Sequence, residues 1–254
     1  MKVEHECNGG WRAVSQLRHA AGRVGRKPER SLFVATTWLL TRETDAPRED
    51  AIVVPCVETK LLPWPFSLSP EGVRGCELTL FTSPRAVAAW ALSKPSLEKV
   101  AALSPSTSSA LERHGVTPDL TAEGGVVALA HAIRAWCNFP VHFRYPTSNA
   151  GLDSPEQAEA IDLLSGIGKV DRRVAYEVTA PAGLRESIER TTKGDWAISF
   201  ASPSAVHHFF SARAVIPSAP QEAACLGAST VRAWNDRRPK DWPEASPLTE
   251  KVAS

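Results

Sequence analysis

"SFASPSAVHHFF", Ser199 to Phe210, repeats a pattern already met at "TLFTSPRAVAAW", Thr79 to Trp90: F-x-S-P-x-A-V, each time where an apolar run gives way to a helical one. The likeness continues downstream. "KVAALSPSTSSALERHGVTPD", from Lys99, and "EAACLGASTVRAWNDRRPKD", from Glu222, share A-x-L-S/G-x-S-T followed by a helical stretch, then Pro and Asp. Ser83 precedes Thr107 by 24 residues and Ser202 precedes Thr230 by 28, so the two copies differ by four residues, as a connecting loop tolerates. A duplicated β-α-β-α unit is the economical reading.

Around these copies strands alternate with helices. "LFVATT" (Leu32 to Thr37), "AIVVPCVET" (Ala51 to Thr59), "CELTLFTS" (Cys76 to Ser83), "KVAALS", "VHFRYPTS" (Val141 to Ser148), "KVDRRVAYEVT" (Lys169 to Thr179), "WAISFAS" (Trp196 to Ser202) and "EAACLG" are apolar or β-branched runs of strand length. Helical stretches begin near Arg85, Ser106, Gly124, Pro155, Ala205 and Ser229. Each copy of the echo is preceded by a strand-helix-strand set, Leu32 to Thr59 for the first and Val141 to Thr179 for the second. The pattern predicts an α/β protein of two similar lobes, each a parallel sheet covered by helices on both faces.

A Ser ahead of Pro is a good way to start a helix. The hydroxyl caps orphan backbone amides, and Pro in the first turn has the required φ and no N–H to leave unpaired. The same reading extends to "SPST" and "GAST" at the next strand-to-helix turns. In open parallel α/β sheets ligands lie beyond the carboxyl ends of the strands, where helix starts present free N–H groups and positive dipole ends. Such ends hold carboxylates or phosphates without needing Arg or Lys. Four of them, on two facing lobes, would make a cleft suited to a large polyanion.

Composition narrows the function. The 254 residues are 43% hydrophobic and 22% charged, ordinary for a globular chain, and 29 Lys and Arg against 28 Asp and Glu give a net charge of +1. There is thus no overall field to draw nucleic acid or an anionic membrane. Five cysteines (Cys7, Cys56, Cys76, Cys137, Cys225) form no C-x-x-C pair and no zinc-ligand spacing with His, so no metal is expected; they read as reduced thiols of a cytoplasmic protein. No apolar run approaches the roughly 18 residues of a membrane span. Phosphate-binding G-x-G-x-x-G and G-x-x-x-x-G-K loops and the G-x-S-x-G elbow are absent. Residues 1–30, Arg-rich but without a signal-peptide core, are read as an N-terminal extension.

"LFTSPRAV", "AALSPSTSSALERHGVTPD", "AYEVTAP", "ISFASPSAV" and "CLGASTVRAW" resemble, as an ordered set, the uroporphyrinogen-III synthase family, and the resemblance runs from Leu32 onward. It implies two flavodoxin-like lobes. The chain starts lobe 1 (31–56), builds all of lobe 2 (60–175) and returns to finish lobe 1 (180–254), with residues 55–63 and 175–181 as a two-stranded hinge. It also implies a reaction, the closure of the linear tetrapyrrole hydroxymethylbilane to uroporphyrinogen III with loss of water and inversion of the last ring. That chemistry needs no cofactor and suits a monomer supplied by hydroxymethylbilane synthase.

Residues carried over by the resemblance are Tyr176, as proton donor to the leaving hydroxyl, and a set of carboxylate contacts. These are Thr82, Ser83 and Arg85 of the first S-P turn, Ser106 and Thr107 of "SPST", Ser202 and Ser204 of the echo, and Ser229 and Thr230 of "GAST". Tyr145, Thr147 and Ser148 are placed at the second lobe's first strand-to-helix turn. The chain departs from the family pattern at "ATTWLLTRETDAPRED", which leaves room only for a short helix broken by Pro47. Thr36, or the pair Thr41 and Arg42, can stand for the family's turn there. His207 and His208 read as an exposed helical pair. A non-catalytic two-lobe binder of an anionic metabolite is the alternative; it would keep the capped turns and have no use for Tyr176.

Overall fold

A computed structural model describes residues 36–41, 50–66, 76–137, 141–212 and 218–247, all within one compact unit. The extension at 1–30, Arg42 and the short helix expected around Pro47 lie outside the described residues.

Two sheets carry the fold. The first has strands β1 (Thr37–Leu40), β2 (Ala51–Val53), β9 (Trp196–Phe200), β10 (Ala223–Cys225) and β11 (Ala245–Pro247), in the order β2-β1-β9-β10-β11, all parallel. The second has β3 (Glu58–Leu61), β4 (Cys76–Phe81), β5 (Lys99–Leu103), β6 (Leu120–Ala122), β7 (Val141–Ser148) and β8 (Gly168–Thr179), in the order β3-β8-β7-β4-β5-β6. Only β3, antiparallel to β8, breaks the parallel run of the second sheet.

In chain order the first sheet reads second, first, third, fourth, fifth, the doubly wound order. The parallel part of the second sheet, β8-β7-β4-β5-β6, has the same order with its start moved to the third strand. The two echoes therefore occupy equivalent places, β4-β5-β6 in one sheet and β9-β10-β11 in the other. Their companion strands are exchanged relative to the chain-order reading: β1 and β2 join the sheet of the second echo, and β7 and β8 that of the first.

β1 overlaps the expected strand Leu32 to Thr37 at Thr37 and runs on through Trp38 to Leu40; residues 32–35 lie outside the described residues. Its position is fixed by pairing on both sides, Trp38 with Ala51 and with Ala197, which buries Leu39 and Leu40 at the centre of the sheet.

Helices α1 (Pro84–Ala91) and α2 (Ser104–Glu112) follow β4 and β5, α3 (Val126–Trp136) follows β6, and α4 (Pro155–Ser165) follows β7 through a 3₁₀ turn at Ala150–Asp153. Helices α5 (Leu184–Thr191), α6 (Pro203–Ala212) and α7 (Ala228–Arg237) serve the first sheet. Side-chain alternation along the strands makes two cores in the second sheet: Phe81 packs with Trp90 and Leu111 on one face, while Leu78, Leu80 and Phe143 pack with Leu129 and Leu164 on the other. The core of the first sheet is aromatic: Trp196 meets Trp242 edge-on at 5.8 Å between centroids, and Phe200 lies 5.5 Å from Trp234.

The S-P turns cap as expected. Ser83 is extended (φ −156°, ψ 142°), and its Oγ accepts from the Arg85 amide at 3.1 Å with Pro84 in the first turn; Ser202 Oγ accepts from the Ala205 amide at 3.3 Å. The other pair corrects the sequence reading. Neither α2 nor α7 starts with a side-chain cap; each begins at a residue of positive φ, Ser104 at 73° and Gly227 at 77°, which are the S and G of the aligned A-x-L-S/G-x-S-T motif. Gly227, with ψ 156°, lies where glycine alone is at ease, and Ser104 bears the left-handed strain of a residue with a Cβ.

One ion pair is built into the second sheet. Arg144 Nη2 meets Glu77 Oε2 at 2.6 Å, with side chains only 4% and 12% exposed, whereas Lys60 and Glu177 pair at 3.2 Å with 71% and 39% exposed.

Two stability outcomes follow from these features. Gly227→Ala costs about 1–3 kcal/mol by forcing a Cβ into that backbone region, although no atom crowds the site, while Ser104→Gly costs nothing or stabilises. Arg144→Met costs about 3–5 kcal/mol because the cation that offsets a buried carboxylate is lost, and Lys60→Ala changes little. Urea midpoints of the four variants check both orderings.

Candidate functional site

The four repeat turns all lie at carboxyl ends of strands: Thr82 and Ser83 follow β4, Ser104 to Thr107 follow β5, Ser202 and Ser204 follow β9, and Gly227 to Thr230 follow β10. One contact links the two rims. Arg232, in the second turn of α7, reaches Glu156, in the first turn of α4, with Nη2 to Oε1 at 2.7 Å. Helix α7 rises from the carboxyl edge of the first sheet and α4 from that of the second. Their contact brings together two helix starts, one from each carboxyl edge.

The predicted residues divide by exposure. Arg85, Ser106 and Ser229 are exposed, and Thr82, Ser83, Ser202 and Ser204 are half-buried. Thr107 and Thr230 are buried at the feet of their helices and serve the turns themselves: Thr107 Oγ1 lies 3.4 Å from Ser104 Oγ, and the Thr230 amide donates to the Gly227 carbonyl at 3.2 Å. What α2 and α7 offer a ligand is therefore their uncapped starts and the hydroxyls of Ser106 and Ser229.

Tyr145, Thr147 and Ser148 are not in a turn. All three belong to β7, which runs on to Ser148, and the turn begins only at Asn149. Pro146 is tolerated inside the strand because the β4 ladder stops at Arg144, so β7 pairs on one side alone at that height. Thr147 Oγ1 donates to Gln157 Oε1 at 2.9 Å and Ser148 Oγ accepts from the Gly151 amide at 3.0 Å; both hold the approach to α4. Tyr145 is fully buried among Leu80, Leu129 and Leu164. Its hydroxyl has no hydrogen-bond partner of normal geometry among the described residues, although the Thr82 side chain lies close by. Burial pushes the Tyr145 phenol well above its ordinary value, so it keeps its proton at neutral pH.

Tyr176 is 7% exposed in β8, opposite Leu61 of β3 and next to Ser148 across a register shift in the β7–β8 ladder. It packs with Ala86, Val87 and Trp90 of α1, the helix that begins at the first S-P turn.

Other groups have simpler roles. Thr36 stands before β1 and Thr41 after it, so of the two alternatives Thr41 holds the carboxyl-end position; its Oγ1 donates to the Ser199 carbonyl at 2.8 Å. His207 is exposed and His208 half-buried, and burial with the neighbouring His207 pulls the His208 pKa down. Cys56 and Cys225 are buried thiols pushed up to about 12 by desolvation. No group of three or more metal-ligating side chains converges among the described residues. A cavity of about 380 Å³ between β2 and α5, lined by Val54, Pro55, Pro181, Leu184 and Arg190, contains none of the predicted residues.

Sequence reasoning passed over Ser104, Glu156 and Arg232. Ser104 could have been found, because it aligns with a glycine in the second copy. The pairing of Glu156 with Arg232, 76 residues apart, leaves no sequence signal.

Comparison with known proteins follows the same line. The model of the family described as uroporphyrinogen-III synthase HemD matches residues 48–241. No curated protein matches this chain by sequence. Among solved structures, a mutant uroporphyrinogen III synthase from the extremely thermophilic bacterium Thermus thermophilus superposes with a TM-score of 0.55 at 15% identity, covering 85% of this chain and 94% of that one. Two further structures are similar, a Thermus thermophilus uroporphyrinogen III synthase (TM-score 0.40, 16% identity, 86% and 96% covered) and the wild-type protein of the same bacterium in another crystal form (0.42, 17%, 83% and 91%). The first of these structures speaks for the fold, and the family match, spanning well over half of the residues, speaks for descent: the chain belongs to the uroporphyrinogen-III synthase family.

Proposed function

We propose that the chain closes hydroxymethylbilane to uroporphyrinogen III, inverting the last pyrrole ring and releasing water. The observation that carries this reading is the pair of facing rims, each with an S-P turn and a left-handed turn, in a chain of this family. Four helix starts provide amide and hydroxyl donors for the eight carboxylates of the bilane. Arg85, exposed in the first S-P turn, adds a forked charge contact.

In the proposed mechanism Tyr176 donates a proton to the leaving hydroxyl while the pyrrole nitrogen pushes electrons into the ring. The C–O bond breaks, water leaves, and an azafulvene cation remains. The substituted α-carbon of the last ring is attacked, a spiro intermediate forms and reopens, and the macrocycle closes at the ring's free α-carbon; the proton lost there as the pyrrole regains aromaticity restores the Tyr176 phenol. The cleft's task is largely positioning, which can supply about 7–11 kcal/mol of a barrier when the reacting carbons are held together. Tyr176, between the hinge strand β3 and helix α1, is supported in the donor role by lying next to the first S-P turn, where a bound carboxylate would anchor the reacting end.

The chain is placed in the cytoplasm, acting as a monomer on substrate released by hydroxymethylbilane synthase. Support for the compartment comes from four described cysteines, all free thiols, and from the lack of any described helix long and apolar enough to cross a membrane. The non-catalytic alternative draws no support from the comparisons.

Freshly made hydroxymethylbilane given to the purified protein yields the type III isomer, against type I from spontaneous closure; type I alone would reject the reading. Tyr176→Phe lowers kcat by about 100-fold, the usual scale of a lost general acid. Unchanged turnover would remove Tyr176 from proton transfer while leaving the synthase assignment intact.

A further inference from the structure

Glu156 is out of place at the rim of a cleft for a polycarboxylate. It is the second residue of α4, its Oε2 accepts from Ser154 Oγ at 3.0 Å, and its Oε1 accepts from Arg232 at 2.7 Å across the cleft. Its own backbone amide, Ser154 and Arg232 hold its carboxyl below the ordinary range, so it is ionised at neutral pH. A fixed negative charge there would repel an incoming carboxylate unless it were otherwise engaged.

Arg232 has the opposite character. It lies three residues beyond Ser229, on the same face of α7 as that exposed serine at the uncapped helix start. The Arg232 side chain is 63% exposed and that of Glu156 43%, and ion pairs this exposed to water contribute little, so the partner of Arg232 can be exchanged at small cost. A guanidinium also presents several donors in a fork that fits any carboxylate.

We propose that Arg232 is a substrate-carboxylate ligand held in reserve by Glu156, which occupies the guanidinium until a carboxylate of the bilane replaces it. Glu156 acts as a placeholder: it keeps Arg232 aimed across the cleft in the empty protein and withdraws when a denser anion enters. The inference rests on the polycarboxylate reading of the cleft given above and adds a cationic contact beside the "GAST" turn.

The test uses the full chain, with uroporphyrin III as a stable octacarboxylate probe. Its binding is followed by quenching of tryptophan fluorescence, alongside KM and kcat for hydroxymethylbilane. Glu156→Gln frees Arg232 and lowers both Kd and KM several-fold with kcat unchanged. Arg232→Gln raises Kd and KM about tenfold, the scale of one charge-assisted hydrogen bond, and Arg232→Lys recovers part of the loss. In the Arg232→Gln background Glu156→Gln still relieves the repulsion of the unengaged carboxylate, but the double variant binds about tenfold more weakly than Glu156→Gln alone, because the guanidinium contact is gone. Both variants are on exposed side chains, and thermal melts confirm that each folds. If the pair were only a brace between the rims, Glu156→Gln and Arg232→Gln would weaken binding alike. If it only held the cleft shut, both would tighten it. Either result, or no change in both, overturns the proposal. Production of type I isomer alone by the unmodified chain would reject the synthase reading separately, with the probe measurements still deciding the role of Arg232.

Discussion

The antiparallel pairing of β3 with β8 is the constraint on which the other arrangements depend. A chain that begins one sheet, builds a whole second sheet and returns must cross between them twice. Here the crossings are paired to each other, Glu58 opposite Thr179 and Leu61 opposite Tyr176. Strand β8 is long enough to do two tasks, running parallel to β7 from Gly168 and antiparallel to β3 at its far end. The register shift at Thr147 and Ser148 falls where the first task gives way to the second. An extra residue at that point re-aims the side chains of a strand, as such irregularities do beside functional sites. Tyr176 stands at this junction, in contact with hinge, sheet and first helix.

With the crossings joined, the repeat supplies the carboxyl edge of each sheet with the same two turns, and Arg232 of one edge meets Glu156 of the other. The two kinds of turn solve the helix-start problem in different ways. At Ser83 and Ser202 a serine hydroxyl satisfies an amide and proline removes another. At Ser104 and Gly227 the chain swings through positive φ and the helix starts without a side-chain cap, which keeps backbone donors for a ligand. Strain at Ser104 is what the sequence tolerates to keep that geometry with a serine in place of glycine, and its hydroxyl, 3.0 Å from that of Ser106, adds to the polar rim.

Much of this was legible in the residues. The echo at Thr79 and Ser199 located two equivalent units, and Ser before Pro foretold real caps at Ser83 and Ser202, though not at Ser104. What was lost was lost for physical reasons. The family resemblance put Tyr145, Thr147 and Ser148 in a turn, but the strand runs on through Pro146, because a strand that has outrun its neighbour's ladder has no need of a donor on that side. The edge strands Leu120–Ala122 and Ala245–Pro247 are three residues long, too short for any periodicity to show. The expected strand stopped at Thr37, short of Trp38 to Leu40, because the partners that extend it, Ala51 to Val53 and Ala197 to Ser199, lie elsewhere in the chain. The contact between the rims joins Glu156 to Arg232, 76 residues apart, which composition and spacing do not encode.

The central claim is that four helix starts on two facing rims grip one polyanion together. Amide hydrogen exchange with and without uroporphyrin III reads this directly, because free amides at helix starts exchange quickly until a ligand engages them. The account predicts slowed exchange on binding at residues 83–86, 104–107, 202–205 and 227–230 at once, on both lobes. Protection confined to one lobe, or absent from all four turns, would contradict it.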